Sequence, residues 1–308
     1  MLITSYSPDL KDAWNRFVAN SRNGTFLFNR DYMDYHADRF EDASLMIWED
    51  DSLVALLPAS RHDEEWRSHG GLTYGGFIVG RDFRSALAIE ALDQTAVTLK
   101  ESGIKRMLLK PVPHVYHRMP AEEELYALFR IGARLCRRDL SSSLYLPNRY
   151  NYSKGRKSSL SKARRESVEV GPSDDWETFI AMEEALLMEK HDTRPAHTGA
   201  EIRMLAERFP DNIRLTVATR DQRMLAGIIT YTTDTVCHAQ YIASTQEGRD
   251  CGAVDAAVDL AIRQTTVPWF DFGISTTDNG RNLDLHLAAN KEGYGARAVC
   301  YDHYLLEI

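Results

Sequence analysis

The chain has 308 residues, of which 44% are hydrophobic and 27% charged, and its formal net charge is −8 at pH 7. A chain of this length forms one large domain or two of roughly 150 residues. The acidic balance argues against a protein that coats nucleic acid or an anionic membrane surface.

The sequence has no run of about 18 apolar residues and no secretory pattern at its N-terminus, so we expect a cytoplasmic protein that does not span a membrane. The four cysteines form no CxxC pair, which indicates reduced thiols rather than a zinc ribbon or a disulfide framework.

The first half predicts a regular series of elements. In chain order, these are the helix-like segments PDLKDAWNRFVANS and FNRDYMDYHADRF, the strand pair SLMIWEDDSLVALLPAS, the segment GLTYGGFIV, the helix RSALAIEALDQTAVTLKESG, the strand KRMLLKPV, the helix EEELYALFRIGARL and the closing strand SSSLYLP.

The second half repeats this order. Its segments are the helices DWETFIAMEEALLMEKH and GAEIRMLAERF, the strand pair IRLTVATRDQRMLAGIITYT, the strand VCHAQYIAST, the helix GAVDAAVDLAIRQ, the strand PWFDFGIST, the helix RNLDLHLAANKEG and the closing strand ARAVCYDHYLLEI. The repeat predicts two α/β domains of one fold, residues 1–150 and 151–308, with a basic connector over 149–171.

This order of elements resembles the GNAT acyltransferase fold, and the tandem arrangement resembles the FemABX peptidyltransferases and their acetyltransferase relatives. The most specific part of the resemblance is FDFGIST, DNGRNLD and NKEGYGAR. It implies an α/β (α+β) class with two tandem GNAT-like domains, whose mixed, mostly antiparallel sheets are flanked by helices. FemABX enzymes take amino acids from aminoacyl-tRNA and act on cell-wall precursors.

The resemblance also implies a donor site, because GNAT domains dock the acyl carbonyl on a strand and the donor phosphates at the next helix N-terminus. The corresponding donor-binding residues are Ser244, Thr245, Gly248, Arg249 and Gly252, with Lys291 as a further phosphate contact. Val254 fills the last small position of the phosphate pattern, which counts against standard coenzyme A binding. The alternative interpretation is that these glycines only let the chain turn, and that Lys291 ends a helix.

A general base must accept a proton from the attacking amine. The main catalytic candidates are His191, Tyr241 and Asp271. Asp271 lies in the apolar strand WFDFGI, where it faces either a site or solvent. His191 and His197 flank DTRPA at a helix end, so we expect His197 and Arg194 to bind substrate. The two histidines lack a third ligand with recognisable spacing, and we expect no metal.

The stretch from Arg149 to Arg165 holds seven Lys or Arg residues and no acid. On a helix, one side would carry Lys154, Lys157, Ser161, Lys162 and Arg165. Three interpretations remain open: a solvated linker, a grip on an anionic cosubstrate such as tRNA phosphates or a nucleotide diphosphate, and a peripheral membrane contact near a lipid-linked acceptor. The second makes Lys157, Lys162 and Arg165 substrate-binding residues.

The leading hypothesis is therefore an enzyme that moves an acyl or aminoacyl group, from acyl-CoA or aminoacyl-tRNA, to an amine of a cell-wall precursor or a surface-polysaccharide amino sugar. One alternative is a coenzyme A-dependent N-acetyltransferase of a small amine. The other is a non-catalytic GNAT-like binding protein. We expect no DNA partner.

Overall fold

The structure, a computed structural model, describes residues 1–308, with all side chains except those of Lys190 and His191. The chain divides into two compact units. Unit 1 comprises Met1–Leu140, Thr276–Leu283 and Val299–Ile308, and unit 2 comprises Ser141–Ser275 and Asp284–Ala298. The division into independent domains at residues 150/151 stays a prediction.

The described residues of unit 1 form four α-helices and a series of short strands, most of which follow the predicted order. Its helices are α1 (Lys11–Asn20), α2 (Arg30–Met33), α3 (Ser85–Glu101) and α4 (Glu123–Ile131). Its strands are β1 (Leu2–Ser5), β2 (Glu41–Asp42), β3 (Leu45–Glu49), β4 (Ser52–Leu57), β5 (Ala59–His62), β6 (Glu65–Ser68), β7 (Ile78–Val79), β8 (Arg106–Leu109), the first part of β9 (Arg134–Tyr145), β15 (Thr276–Thr277), β16 (Asn282–Leu283) and most of β17 (Arg297–Glu307).

The strands of unit 1 form one sheet in the order β1-β3-β4-β7 and a second series in the order β9-β17-β8-β6-β5-β2. Strands β6 and β8 are parallel, while β8 and β17 are antiparallel. Helix α3 covers a core that includes Ala88, Ala91 and Leu92, each without exposed surface. The small side chains recur at helical spacing, so they let the helix lie close to its neighbours.

An acid lies inside unit 1, on the first turn of α4. Glu124 is buried, and its Oε2 accepts a hydrogen bond from the Phe77 amide at 3.2 Å. Its Oε1 has no hydrogen-bond partner. Burial raises the pKa of Glu124 to about 8, so the side chain is held as a neutral acid at neutral pH.

Unit 2 contains six helices among its described residues. They are α5 (Lys154–Arg165), α6 (Trp176–His191), α7 (Gly199–Arg208), α8 (Gln246–Cys251), α9 (Ala253–Gln264) and α10 (Leu285–Glu292). Its strands are β10 (Glu169–Pro172), β11 (Ile213–Arg220), β12 (Arg223–Thr232), β13 (Val236–Ser244) and β14 (Trp269–Ile274), together with the end of β9.

The sheet of unit 2 runs β10-β11-β12-β13-β14-β9. Strands β10 to β13 are antiparallel, β13 and β14 are parallel, and β9 is antiparallel to β14. Asp221 and Gln222 make the tight β11–β12 turn with φ of 50° and 60°. Helix α9 covers one face, where Ala257, Val258 and Phe270 belong to the core. Both units thus contain a parallel strand pair followed by an antiparallel closing strand.

The closing strands pair with different neighbours from those that the sequence repeat predicts. The segment SSSLYLP, expected to close the first half, pairs through Ser143–Tyr145 with β14 of unit 2. Strand β17, expected to close the second half, pairs through Tyr304–Glu307 with β8 of unit 1. A strand pattern specifies which face is buried but not which neighbour supplies its hydrogen bonds, and so the exchange was not visible in the sequence.

Two local predictions also need correction. FNRDYMDYHADRF was expected to be helical, but it forms only the short α2 and a single 3-10 turn, Asp34–His36. The β5–β6 hairpin was missed because its polar residues hide the alternation. Across the described residues, no helix combines the length and apolarity needed to cross a membrane.

Candidate active site

Strands β13 and β14 diverge within unit 2. Their parallel pairing joins Val236–His238 to Trp269–Asp271, and β13 then continues through Ala239–Ser244 beyond this ladder. In an α/β sheet, such a parting exposes backbone groups and side chains at the point of divergence, and a ligand can approach there.

A β-bulge next to this point sets which side chains share a face. Thr230 pairs with Ala239, and Ile229 pairs with Tyr241, so β13 contains one extra residue opposite β12. Tyr231 pairs with His238 on the same ladder. Because Ile229 and Tyr231 are two residues apart, the bulge brings His238 and Tyr241 onto one face of the sheet.

His238 is paired with Asp271 on that face. Its Nδ1 lies 2.8 Å from Asp271 Oδ2, and the two residues are register partners at the last rung of the β13–β14 ladder. The Asp271 side chain has no exposed surface, whereas that of His238 is 15% exposed. Asp271 therefore lies behind the imidazole, and His238 is the member of the pair that solvent or substrate can reach.

Three further donors hold the Asp271 carboxylate. The hydroxyls of Ser141 and Ser143 each donate to Oδ1 at 2.6 Å, and the amide of Gly273 donates to Oδ2 at 3.2 Å. Burial alone would raise the pKa of Asp271, but His238 and the two serines outweigh it and lower the pKa below its ordinary value. The carboxylate is thus ionised at neutral pH.

Gly273 bends β14 just after Asp271. Its φ of +76° is one that side-chain-bearing residues rarely adopt, and the β9–β14 register shifts between Asp271 and Ile274. Lys291 of α10 stabilises the bend, because its Nζ donates to the carbonyls of Gly273 at 2.8 Å and Ile274 at 2.7 Å. Burial lowers the pKa of Lys291 to about 8. The structure thus places Lys291 at the strand end.

Tyr241 and His197 form a second contact, with the phenol oxygen 2.6 Å from His197 Nδ1. Helix α6 contributes the buried Glu183, whose charge acts on Tyr241. Burial, reinforced by this charge, raises the pKa of Tyr241 to about 12, so the phenol stays protonated at neutral pH. The sequence proposed Tyr241 for catalysis and His197 for substrate binding, and the structure brings these two residues together.

The proposed donor-phosphate residues make local structural contacts. Thr245 caps α8, its Oγ1 accepting from the Gly248 amide at 3.0 Å. Arg249 donates to the Ser244 carbonyl at 2.9 Å. A Cβ on Gly248 would lie 2.2 Å from the Leu225 carbonyl oxygen, so this glycine packs directly on β12.

The N-terminus of α9 is covered by α5. Gly252, with φ of +82°, joins α8 to α9, and a Cβ there would lie 2.5 Å from the Ser159 carbonyl oxygen of α5. Asp255, in the first turn of α9, accepts hydrogen bonds from Ser159 Oγ at 2.5 Å and Tyr294 Oη at 2.6 Å. It also forms a salt bridge with Arg156 of α5. Helix α5 therefore packs against the first turn of α9, beside the proposed donor-phosphate residue Gly252.

Helix α5 has two different faces. Its inward positions are Arg156, Ser159, Leu160 and Ala163, which recur at helical spacing. Its outward face exposes five cations, namely Lys154, Lys157, Lys162, Arg164 and Arg165. The cations expected along one side of this helix, Lys154, Lys157, Lys162 and Arg165, are exposed, whereas Arg156 forms a salt bridge with Asp255.

Two candidates from the sequence remain, His191 and Arg194. The side chain of His191 is outside the described residues. Arg194 is 79% exposed and forms an ion pair with Glu184. Among the side chains that the structure describes, no group of three or more His, Cys, Asp or Glu residues is arranged to hold a metal.

Sequence reasoning found Asp271 but missed His238, the titratable side chain that contacts it. The two are 33 residues apart. Their pairing depends on the register of β13 against β14, which alternation within either strand does not specify. The one usable signal was that His238 and Asp271 each lie within a largely apolar strand, VCHAQYIAST and WFDFGIST respectively.

Comparison with known proteins shows what the chain is similar to. Residues 148–280 match the family model described as "Acetyltransferase (GNAT) domain". The matched stretch contains the β13–β14 divergence, the bulge and helices α5 to α9, and the match indicates an enzyme that transfers an acyl group.

Solved structures extend the likeness beyond the GNAT domain. FemX has a TM-score of 0.70 at 12% identity, with 100% of this chain and 98% of that chain covered. L-PGS from Bacillus licheniformis has a TM-score of 0.64 at 9% identity, with 97% and 92% covered. The C-terminal domain of a proposed lysylphosphatidylglycerol synthetase from Agrobacterium fabrum has a TM-score of 0.63 at 11% identity, with the same coverage.

These identities establish a shared fold. The tandem GNAT fold class and the resemblance to FemABX proteins are thereby confirmed at the level of fold. No curated protein sequence matches the chain.

Proposed function

We propose that the chain transfers an aminoacyl group from aminoacyl-tRNA to an amine of a cell-wall precursor or a surface-polysaccharide amino sugar. The observation that carries this proposal is the two-faced helix α5, Lys154–Arg165. Its inward face closes the N-terminus of α9, and its outward face offers cations to a polyanion.

The inward face argues against coenzyme A as the donor. A diphosphate at the N-terminus of α9 would meet the Ser159 backbone next to Gly252. It would also meet the Asp255 carboxylate, whose donors come from α5 and Tyr294. A phosphate beside a carboxylate is electrostatically unfavourable, and seating it would require α5 to leave. The residues present do not fit the phosphates of coenzyme A at this place.

The outward face favours a nucleic-acid donor. Helix α5 is about 18 Å long at 1.5 Å per residue, and its five exposed cations lie along that length. A local row of cations attracts a polyanion to this one surface, because the protein as a whole has a net charge of −8 and repels the polyanion elsewhere. This property fits the phosphate backbone of tRNA better than a single small anion.

The acceptor is inferred from the resemblance. FemABX enzymes act on cell-wall precursors, and FemX shares this fold over the whole chain. The name lysylphosphatidylglycerol synthetase likewise describes the attachment of an amino acid. A tRNA donor places the reaction in the cytoplasm. In this proposal Lys157, Lys162 and Arg165 bind the tRNA backbone.

A salt series tests the proposal. The affinity of fluorescent aminoacyl-tRNA is measured by anisotropy from about 50 to 200 mM salt for the wild type and for Lys157→Glu/Lys162→Glu. Each lost phosphate contact makes the negative slope of log K against log salt less steep by roughly 0.7–0.9. We therefore expect the slope of the double variant to be about 1.5 less steep than that of the wild type. Melting should shift little, because exposed substitutions typically change stability by about 0.5 kcal/mol or less.

The matched control is Arg81→Glu/Lys100→Glu, which makes the same charge change at exposed positions of unit 1. It should keep the wild-type slope. Equal slopes in both double variants would contradict the tRNA interpretation and leave α5 as a solvated surface. A thermal shift with acetyl-CoA but not with aminoacyl-tRNA would instead support the coenzyme A-dependent alternative.

A further inference from the structure

The His238–Asp271 pair is built as an acid–base unit. Asp271 is ionised and accepts from Ser141, Ser143 and the Gly273 amide, so its contact with His238 at 2.8 Å requires a proton on Nδ1. A neutral imidazole with a proton on Nδ1 carries its lone pair on Nε2. The carboxylate thus selects the tautomer in which Nε2 is the basic atom.

Gly273 lies beside the Cε1–Nε2 edge of the ring. A Cβ on Gly273 would lie 3.4 Å from His238 Cε1 and 3.9 Å from Nε2, so a side chain at this position would lie against that edge of the imidazole. With glycine there, residue 273 itself places no side chain against the ring. Lys291 fixes the bend at this glycine through the carbonyls of Gly273 and Ile274. The His238 side chain is 15% exposed, so solvent or substrate can reach it.

The pair also lies where the reaction would occur. His238 and Asp271 are the last paired residues before β13 continues past the ladder. The GNAT resemblance implies that the acyl carbonyl docks on β13. An amine that attacks a carbonyl held along Ala239–Ser244 would lose its proton near this rung.

We propose that His238 is the general base of the transfer and that Asp271 is its positioning residue. The inference rests on the proposed function. The acceptor nitrogen attacks the ester carbonyl carbon of aminoacyl-tRNA, and a C–N bond forms. Nε2 takes one proton from that nitrogen. The bond between the carbonyl carbon and the ribose oxygen breaks, and the proton is delivered to that oxygen, which leaves as the free hydroxyl of tRNA.

The test is steady-state transfer of a radiolabelled amino acid from aminoacyl-tRNA to a UDP-linked muramoyl pentapeptide. His238→Ala should lower kcat by about 100- to 10,000-fold, the range usual for a lost general base, with KM changed less than about three-fold. Imidazole added at tens of millimolar should restore part of kcat. The control is His286→Ala on α10, an exposed histidine of the same unit, which should keep wild-type kcat.

Asp271→Asn tests the positioning role. An amide can donate to Nδ1 and stabilise the other tautomer, so kcat should fall while the affinity for aminoacyl-tRNA stays within about two-fold. If either variant does not fold, His238→Gln serves instead and should lose kcat to the same extent as His238→Ala. Wild-type kcat in a folded His238→Ala or His238→Gln protein overturns the dyad and leaves the proposed function standing. No transfer by the wild type from any aminoacyl-tRNA overturns both.

Discussion

Replacing Asp255 with alanine should destabilise unit 2 and release helix α5. Asp255 accepts hydrogen bonds from Ser159 and Tyr294 and forms the salt bridge with Arg156. The Arg156 side chain is only 15% exposed, and Tyr294 is 3% exposed. Without the carboxylate, a nearly buried cation and a buried hydroxyl would lose their acceptor.

The loss in free energy of unfolding can be estimated from how deeply Arg156 and Tyr294 are buried. Removing one partner of a buried ion pair typically costs about 3–5 kcal/mol, and an unsatisfied buried hydroxyl costs roughly 1–3 kcal/mol. The two terms share one cluster and do not add in full. Arg156 also keeps its contact over the Tyr294 ring, at 4.4 Å, and its bond to the Asn290 carbonyl. We therefore expect a total near 3–5 kcal/mol.

Two measurements check this prediction. Urea unfolding followed by circular dichroism gives the change in free energy of unfolding. Limited trypsin digestion reports the release of α5, because the helix carries Lys and Arg residues that trypsin cleaves once it is undocked. The control is Asp250→Ala, an exposed acid on α8 bonded to Gln246, which should behave as wild type. A change below about 1 kcal/mol with unaltered digestion would refute the reasoning, since ordinary surface substitutions fall near that size.

Two other predictions concern single residues, Glu124 and Gly252. Burial raises the pKa of Glu124 to about 8, so the folded protein keeps a proton that the unfolded chain releases above about 4.5. The contribution of Glu124 to the free energy of unfolding should therefore decline as the pH rises from about 5 to 8, so the wild type should lose stability relative to Glu124→Gln over this range in urea titrations at each pH. Gly252→Ala should destabilise more than Gly132→Ala, as measured by urea unfolding. Both glycines have positive φ, but only the Cβ at 252 would meet another segment, the Ser159 carbonyl at 2.5 Å, whereas nothing lies within 4 Å at 132. Equal losses would mean that α5 does not pack on Gly252.

The periodic elements could be predicted because each depends on nearby residues. Helices α3, α6, α7 and α9 and strands β11 to β14 occur where hydrophobic spacing placed them. The cationic face of α5 also followed from helical spacing alone. Asp271 was named as a catalytic candidate because a carboxylate within an apolar strand faces either a site or solvent.

The contacts that define the candidate site depend on register and packing between distant segments. His238 meets Asp271 because β13 and β14 pair in one particular alignment. Tyr241 joins the face of His238 because a bulge inserts one residue opposite β12. Gly252 matched a phosphate-binding pattern, but its lack of a side chain serves the approach of Ser159. Local sequence signals do not determine any of these three relationships.

The exchanged closing strands affect how the protein can fold during synthesis. Unit 1 gains β17 through the ladder Tyr304–Glu307 with Met107 and its neighbours, and these residues leave the ribosome long after β8 has emerged. Until then β8 presents an unpaired edge, which is prone to aggregation. Unit 2, in contrast, receives its β9 segment before its own strands are made. A nascent chain stalled before residue 299 should therefore be the form that chaperones bind most strongly.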